Sequence, residues 1–201
     1  RISAVYPSRA WLGRVVDAFG HPMDGKGALA EGMEPYALRA TPIPAHSRAR
    51  LGGKLDLGVR ALNSFVTCCK GQRMGIFAGS GVGKSILLAM LTRNTNADVT
   101  VIALVGERGR ELKEFIEDDL GEEGLKRSVV IAATSDEAPL LRRQAALLLV
   151  DPLPLVVLTP KGLLRHPFMA STPQDLAEGR FQHLIDDGEA RTRPAEIKRV
   201  V

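Results

Sequence analysis

The sequence predicts an α/β fold built on a parallel sheet that is incomplete within this chain. Two runs, residues 98–105 and 128–133, are almost wholly apolar and β-branched, as expected for strands covered on both faces. A stretch with helical spacing of apolar residues follows each run, and such alternation is typical of parallel strands joined by crossover helices. The third observation is a glycine-rich segment at 79–83 that lies between an apolar run and a helix.

The first forty residues have a different character, since they consist of short extended pieces broken by turns. Trp11–Val16 is followed by a turn at residues 17–20 and by an Asp-Gly turn signal at residues 24–25. Residues 41–54 are predicted to be a linker, because prolines 42 and 44 each fix their own φ and restrict the residue before them.

From residue 55 onward the apolar spacing predicts the elements of the sheet in chain order. They are a helix over Leu55–Phe65, a short buried strand over Arg73–Ala78, a glycine-rich turn over Ser80–Ser85, and helices over Ile86–Arg93 and Glu111–Leu120. Ser135 is predicted to be the N-cap of a further helix that runs through Arg142 and Arg143.

Composition sets limits on the class of protein. With 45% hydrophobic and 25% charged residues among 201, the chain is long and apolar enough to bury a core. The net charge of +4 is spread along the sequence and aromatic residues make up only 4%, a balance that does not favour a nucleic-acid partner. Adjacent cysteines 68 and 69 are expected to be reduced thiols, and the ends at Arg1 and Val201 suggest a fragment.

Residues Ala78–Ser85, Ala-Gly-Ser-Gly-Val-Gly-Lys-Ser, match the phosphate-binding P-loop pattern, with Ala in place of the first Gly. The glycines allow successive N–H groups to point at phosphates, Lys84 adds a full positive charge, and the Ser85 hydroxyl can ligate Mg²⁺. A glycine-rich turn that fits by chance is the alternative, but the strand before it and the helix after it favour the P-loop. The predicted contacts to ATP are Gly79, Ser80, Gly81, Val82, Gly83, Lys84 and Ser85.

Glu107 is the candidate general base for hydrolysis. It follows the run at 98–105 directly, and ligands of open α/β sheets gather at the carboxyl ends of the strands. The alternative is a surface carboxylate at the start of the next helix, where acidic residues are favoured anyway. The spacing alone leaves the two interpretations open.

Several further strings resemble one family. Leu12–Asp17, Met23–Gly27, the P-loop and Gly106–Glu111 (Gly-Glu-Arg-Gly-Arg-Glu) are together similar to the F1 and type III export ATPase superfamily. The strings Leu55–Leu62, Cys68–Met74 and Asp118–Gly124 resemble the flagellum-specific ATPase in particular, and the resemblance covers roughly residues 5–146.

This resemblance implies a P-loop NTPase core over 55–146, preceded at 1–40 by the end of an N-terminal β-barrel. It implies that Glu107 is the catalytic base, acting with Lys84, and that Arg108 contacts the region of the γ-phosphate. For the whole protein it implies Mg-dependent ATP hydrolysis, a homo-oligomeric ring of the hexameric kind, and export-apparatus proteins as partners. The implied location is the bacterial cytoplasm at the inner-membrane face, with peripheral membrane association through those partners.

The Walker B aspartate and the arginine finger of that family cannot be placed in this chain, so nucleotide binding is expected and enzymatic turnover is left open. Leu147–Asp151 imitates a Walker B string of four apolar residues and Asp. We interpret it instead as the end of a helix, because no turn brings the chain back as a strand and prolines 152 and 154 suit a helix exit.

Residues 147–201 are predicted to form a short α/β tail. Asp151–Lys161, Leu163–Pro167 and Lys198–Val201 resemble the C-terminal domain of the 2-oxoglutarate dehydrogenase E1 component, which suggests a chimera joined within 140–150. Two alternatives to an export ATPase therefore stay open. One is a non-catalytic or misassembled fusion fragment, and the other is a piece of that thiamine-diphosphate-dependent enzyme.

Overall fold

The computed structural model describes residues 4–38, 44, 46, 50–77 and 81–150, together with the backbone of 156–158. Its central element is a parallel sheet of four strands, which in chain order are β2 Arg14–Val16, β6 Thr100–Val105, β7 Ser128–Ala133 and β8 Val156–Leu158. Across the sheet the strands lie in the order β2-β7-β6-β8. The helices of the described part are α1 Arg60–Phe65, α2 Lys84–Asn94, α3 Gly109–Glu114, α4 Gly121–Lys126 and α5 Pro139–Val150, with a π-helical segment Phe115–Leu120 between α3 and α4. Two short antiparallel pairs complete it: β1 Ala4–Val5 with β3 Tyr36–Ala37, and β4 Lys54–Leu55 with β5 Cys68–Cys69.

The register of the sheet confirms the predicted α/β class. β6 and β7 pair in parallel over their whole length, from Thr100 opposite Ser128 to Val105 opposite Ala133. β8 pairs in parallel with the other edge of β6, with Thr100 opposite Val156. The segments between these strands, α3 to α4 and then α5, are the crossover helices that parallel strands require.

Both faces of the sheet are covered, because successive side chains of a strand point to opposite sides. Ile102 and Leu104 face a cluster that includes Leu88 and Leu91 of α2 and Phe115 of the π-helical segment. The opposite face packs against α5 and the N-terminal region; its cluster includes Val101, Ala103, Val129, Ile131, Leu148, Leu149, Trp11 and Val16. The near-continuous apolar runs of β6 and β7 follow from this double burial.

The N-terminal region contributes a strand to this sheet. β2 pairs in parallel with β7, with Val16 opposite Ile131, and the Val16 side chain is fully buried. The turn after β2 is held by Asp24, whose carboxylate receives hydrogen bonds of 2.7 and 2.9 Å from the Arg14 guanidinium and one of 3.1 Å from the Val15 N–H. The assignment of residues 1–40 to the end of a β-barrel stays a prediction.

The helix predicted over Leu55–Phe65 is wrong in its first half. Leu55 lies in β4, and α1 begins only at Arg60. The Asp56 carboxylate accepts a hydrogen bond of 2.8 Å from the Gly58 N–H, and Gly58 has a φ of +70°. This local turn competes with helix formation, as Asp side chains commonly do.

The predicted buried strand over Arg73–Ala78 is absent over its described part, residues 73–77. These residues alternate between exposed and half-buried positions, and the Phe77 side chain is 73% exposed. A strand is stabilised by hydrogen bonds to a neighbouring strand, and the described sheet offers this segment none. Ala78 lies outside the described residues.

Three helices start elsewhere than predicted, whereas β7 lies where the sequence places it. α2, predicted over Ile86–Arg93, runs from Lys84 to Asn94, so the last two residues of the predicted turn are helical. Ser135 is not an N-cap, since α5 starts at Pro139. The turn before it is closed by Glu137, which accepts a hydrogen bond of 3.1 Å from the Thr134 N–H. The helix predicted over Glu111–Leu120 starts two residues earlier and changes to π-helical geometry at Phe115.

Cys68 and Cys69 are both free thiols. Cys68 is fully buried in the core cluster under α2, and this burial raises the pKa of its thiol. Cys69 is half-buried, as expected for a neighbouring residue in a strand, whose side chain points to the other face. Within the ranges that the structure describes, no helix combines the length and apolarity needed to cross a membrane.

Candidate functional site

The described part of the phosphate loop begins at Gly81, and Ala78, Gly79 and Ser80 lie outside the described residues. Gly81 has a φ of +76° and Gly83 a φ of +88°. A Cβ at either position would meet no atom within 4 Å, so the left-handed backbone, and not lack of space, requires glycine there. The two glycines turn the chain sharply into α2.

Gly83 is the N-cap of α2, and Lys84 and Ser85 form the first turn of the helix. The first intrahelical bond shown runs from the Leu87 N–H to the Gly83 carbonyl, at 3.0 Å. The N–H groups of the first turn therefore have no partner within the helix, and they carry the positive end of its dipole. Lys84 is half-buried and Ser85 is exposed, so a charged amine and a hydroxyl accompany these N–H groups.

The orientation of α2 places this turn at the carboxyl edge of the sheet. The C-terminal end of the helix, at Thr95, lies beside the start of β6 and β7. The Arg127 guanidinium donates a hydrogen bond to the Thr95 carbonyl, and the Arg127 carbonyl accepts one from the Thr100 N–H at the start of β6. α2 packs along β6 through Leu88 and Leu91. Its eleven residues extend about 16 Å back along the sheet, toward the ends of the strands.

Glu107 and Arg108 lie at the same edge. β6 ends at Val105, and Gly106, with a φ of +76°, turns the chain out of the strand. The Glu107 carbonyl accepts a hydrogen bond of 2.8 Å from the Ser135 N–H, which ties this turn to the end of β7. Glu107 is half-buried, and it makes a further hydrogen-bonding or electrostatic contact within the protein.

Arg108 is the N-cap of α3, and its side chain is 78% exposed. Its guanidinium lies 4.0 Å from the Glu111 carboxylate, one helical turn along. Glu107 and Arg108 thus follow the carboxyl end of β6, and the direction of α2 points Lys84 and Ser85 toward the same edge of the sheet. Their catalytic and binding roles stay predictions.

The donor set fits Mg²⁺ only together with a nucleotide. The Ser85 hydroxyl is a hard oxygen ligand, and Mg²⁺ in nucleotide sites is typically held by one or two protein oxygens, phosphate oxygens and water. Across the described ranges, no group of three or more His, Cys, Asp or Glu side chains could hold a metal ion by itself. A metal at this edge would therefore depend on the phosphates for most of its ligands.

The string Leu147–Asp151, which has the pattern of a Walker B sequence, lies at the C-terminal end of α5 as far as Val150. Residues 147–150 are the last turn of that helix, and Leu148 and Leu149 are buried against the sheet. The string is thus helical up to Val150, as predicted, while Asp151 lies outside the described residues. α5 is continuous from Pro139 to Val150, across the boundary that we predicted at residue 146.

Sequence reasoning missed the groups that hold the far end of α2. The Asp56 carbonyl accepts hydrogen bonds of 3.0 Å from both the Thr95 hydroxyl and the Asn96 N–H. Arg127 donates to the carbonyls of Thr95 and Ala97 from the other side. The only local signal was the Asp-Leu-Gly string at 56–58, which is typical of a turn.

Comparison with known proteins finds relatives of this part of the chain. Residues 58–150 match the model of the nucleotide-binding domain of the ATP synthase alpha/beta family. The flagellum-specific ATP synthase of Caulobacter vibrioides is 60% identical over 144 residues, which are 72% of this chain and 32% of that protein. The protein of the same name from Salmonella typhimurium is 55% identical over 137 residues, 68% of this chain and 30% of that protein.

Solved structures give the same result. An ATPase from the type III secretion system of pathogenic bacteria has a TM-score of 0.65 and 41% identity, over 72% of this chain and 41% of that one. The assembled ATPase EscN from enteropathogenic E. coli, in complex with its central stalk EscO, has a TM-score of 0.69 and 35% identity, over 78% of this chain and 40% of that one.

The chain spans about a third of the length of the curated relatives it matches. The resemblance of residues 147–201 to the E1 component is supported by none of these matches and stays a prediction. Apart from the backbone of 156–158, residues from 151 onward lie outside the described part of the chain.

Proposed function

We propose that this chain binds a magnesium nucleoside triphosphate, ATP, through residues 79–85 at the carboxyl edge of its parallel sheet. The observation that carries the proposal is the sharp glycine turn at Gly81 and Gly83, which leads directly into α2 with Lys84 and Ser85 in its first turn. Unpaired N–H groups, a helix dipole and an amine converge there, which is the combination that phosphate groups favour. The match of residues 58–150 to the model of a nucleotide-binding domain supports it.

Each side chain has a proposed role toward the bound nucleotide. Lys84 neutralises charge on the β- and γ-phosphates, and the Ser85 hydroxyl would hold Mg²⁺, which supplies further charge neutralisation when bound. Glu107 would orient and deprotonate the attacking water, with Arg108 near the γ-phosphate. These roles rest on the family resemblance and on the common edge at which the residues lie.

For the complete protein we propose ATP hydrolysis that powers flagellar or type III protein export. The relatives support this, since they are named flagellum-specific ATP synthases and type III secretion ATPases. The proposed partners are further copies of the protein in a homo-oligomeric ring, which the description of EscN as an assembled ATPase supports. Proteins of the export apparatus on the cytoplasmic side of the inner membrane are proposed from the family resemblance. A stalk protein is a further proposed partner, by analogy with the EscN–EscO complex.

Turnover by this chain alone is proposed to be much slower than that of a full-length export ATPase. A catalytic arginine supplied by a neighbouring subunit can be worth about 10³–10⁵ in rate, and no such group has been placed in this chain. Phosphate release by the two proteins under identical conditions tests this. Equal rates would contradict it.

Thermal melting with and without Mg-ATP tests binding. A ligand that binds only the folded state at a hundred times its Kd adds about 2.7 kcal/mol of stability, so the melting temperature should rise by several degrees. Lys84→Ala is the matched variant, because it removes the charge while the helix former Ala preserves α2. An equal rise in both proteins, or no rise in the unmodified chain, would refute the proposed site.

A further inference from the structure

The far end of the phosphate-loop helix is held by a turn that is distant from the phosphates. The Asp56 carbonyl accepts hydrogen bonds from the Thr95 hydroxyl and the Asn96 N–H, both at 3.0 Å, directly after the last residue of α2. Thr95 is itself only 4% exposed. These bonds fix the end of α2 relative to residues 56–58, which form the turn at the start of α1.

That turn is itself fixed by side chains. The Asp56 carboxylate accepts hydrogen bonds from the Gly58 N–H at 2.8 Å and from the Asn63 amide at 2.6 Å. The Asn63 amide oxygen in turn accepts a hydrogen bond of 3.0 Å from the Leu57 N–H. One carboxylate and one amide thus lock the turn to α1, and these bonds also hold the pKa of the Asp56 carboxyl below its ordinary value.

Gly58 sets how closely the turn and the helix approach each other. A Cβ at this position would lie 2.3 Å from the Cβ and from the carbonyl oxygen of Asn94, the last residue of α2. Most of that obstruction is backbone, which cannot rotate away as the end of a flexible side chain could. Any side chain at residue 58 must therefore displace the end of α2 or open the turn.

We propose that the Asp56–Gly58 turn is a positioning element for the phosphate loop, which sets the position of α2 and thereby of Gly83, Lys84 and Ser85 at its other end. A single helix of eleven residues, packed on the sheet through Leu88 and Leu91, moves as a unit because packed cores are not continuously deformable. A shift at Asn94 is therefore transmitted to the first turn. This inference rests on the proposed nucleotide binding.

The test compares Gly58→Ala with Gly25→Ala in the full chain. Gly25 is a matched control, since its φ of +68° is close to the +70° of Gly58 but a Cβ there would meet nothing within 4 Å. Both variants carry the same strain of an L-residue in a left-handed conformation, and only Gly58→Ala pushes on α2. The probe is a fluorescent ATP analogue with Mg²⁺, used below the melting temperature of both variants.

We expect Gly58→Ala to raise the Kd for the analogue about tenfold, because small misplacements of binding groups lower affinity. Gly25→Ala should change the Kd by less than about twofold. Hydrogen exchange of the amides in residues 84–90 is the second readout, and it should accelerate only in Gly58→Ala. Equal Kd values and equal exchange in the two variants would overturn the inference.

A side-chain series covers the case in which Gly58→Ala does not fold. Asp56→Ala removes the acceptor of both hydrogen bonds, whereas Asp56→Asn keeps an amide oxygen in its place. We expect about a fivefold loss of affinity in the first and recovery to within about twofold in the second. Equal affinity in the two would contradict a positioning role for Asp56.

The same experiment separates the inference from the function on which it rests. If the unmodified, folded chain binds no analogue, the proposed function fails, and hydrogen exchange alone decides whether the turn holds α2. If it binds the analogue and neither readout distinguishes Gly58→Ala from Gly25→Ala, the positioning role fails while the proposed function stands.

Discussion

Replacing Val16 by Ala tests whether the N-terminal region is part of the nucleotide-domain sheet. Val16 is fully buried in β2, opposite Ile131 of β7, although it lies more than a hundred residues from β7 in sequence. The substitution removes two methyl groups, worth about 0.8 kcal/mol each by transfer. The cavity left behind raises the expected loss in the free energy of unfolding to about 2–3 kcal/mol.

The assay uses a probe that lies in the same cluster. Trp11 is the single tryptophan of the chain, is 4% exposed, and packs with Val16 in the core on this face of the sheet. Its fluorescence during urea unfolding therefore follows the integrity of this region. With a slope of about 2 kcal/mol per molar urea, the midpoint should fall by about 1 M.

Val66→Ala is the control, because Val66 is 52% exposed and the same change there should cost less than about 0.5 kcal/mol. If the two variants unfold at the same midpoint as the unmodified chain, Val16 is not buried in solution. The pairing of β2 with β7 would then be wrong.

Two further changes probe the same region. The Arg14 guanidinium donates two hydrogen bonds to Asp24, which holds the pKa of that carboxyl far below its ordinary value of 3.8. The stability that this provides is present above about pH 4 and is lost as the pH falls below it. Asp24→Ala should therefore lower the melting temperature strongly at pH 7, and its difference from the unmodified chain should shrink in melts toward pH 3; a constant difference would contradict the ion pair. Gly20→Ala places a Cβ 2.6 Å from the Trp11 ring, at a residue whose φ is +86°. The substitution should therefore destabilise the fold and shift Trp11 emission to longer wavelength. Unchanged emission would show that the ring is not packed against residue 20.

The sequence predicted the elements whose causes are local. β7 was predicted at Ser128–Ala133 because an unbroken apolar run of that length indicates a strand buried on both faces. α2 was predicted over Ile86–Arg93 from the spacing of its apolar residues after the glycine-rich turn, and it extends two residues further toward the N-terminus. The rule that ligands gather at the carboxyl ends of parallel strands singled out Glu107, which does follow the end of β6, while its proximity to Lys84 stays a prediction.

Features that depend on distant residues were not predictable in this way. Nothing in the pattern of Arg14–Val16 indicates that its partner is β7, because a short apolar strand fits many neighbours. The run at 73–77 has the composition of a strand, but composition cannot show whether a neighbouring strand is available. The hold on α2 by Asp56 and Arg127 likewise joins residues that are 39 and 32 positions from Thr95.

The most direct test of the central claim is calorimetric titration of the folded chain with a slowly hydrolysed ATP analogue and Mg²⁺. We expect saturable binding of one nucleotide per chain, which is lost in Lys84→Ala and weakened when Mg²⁺ is removed. Binding that is unaffected by Lys84→Ala, or no binding to a chain whose folding is verified by Trp11 fluorescence, would contradict a phosphate site at residues 79–85.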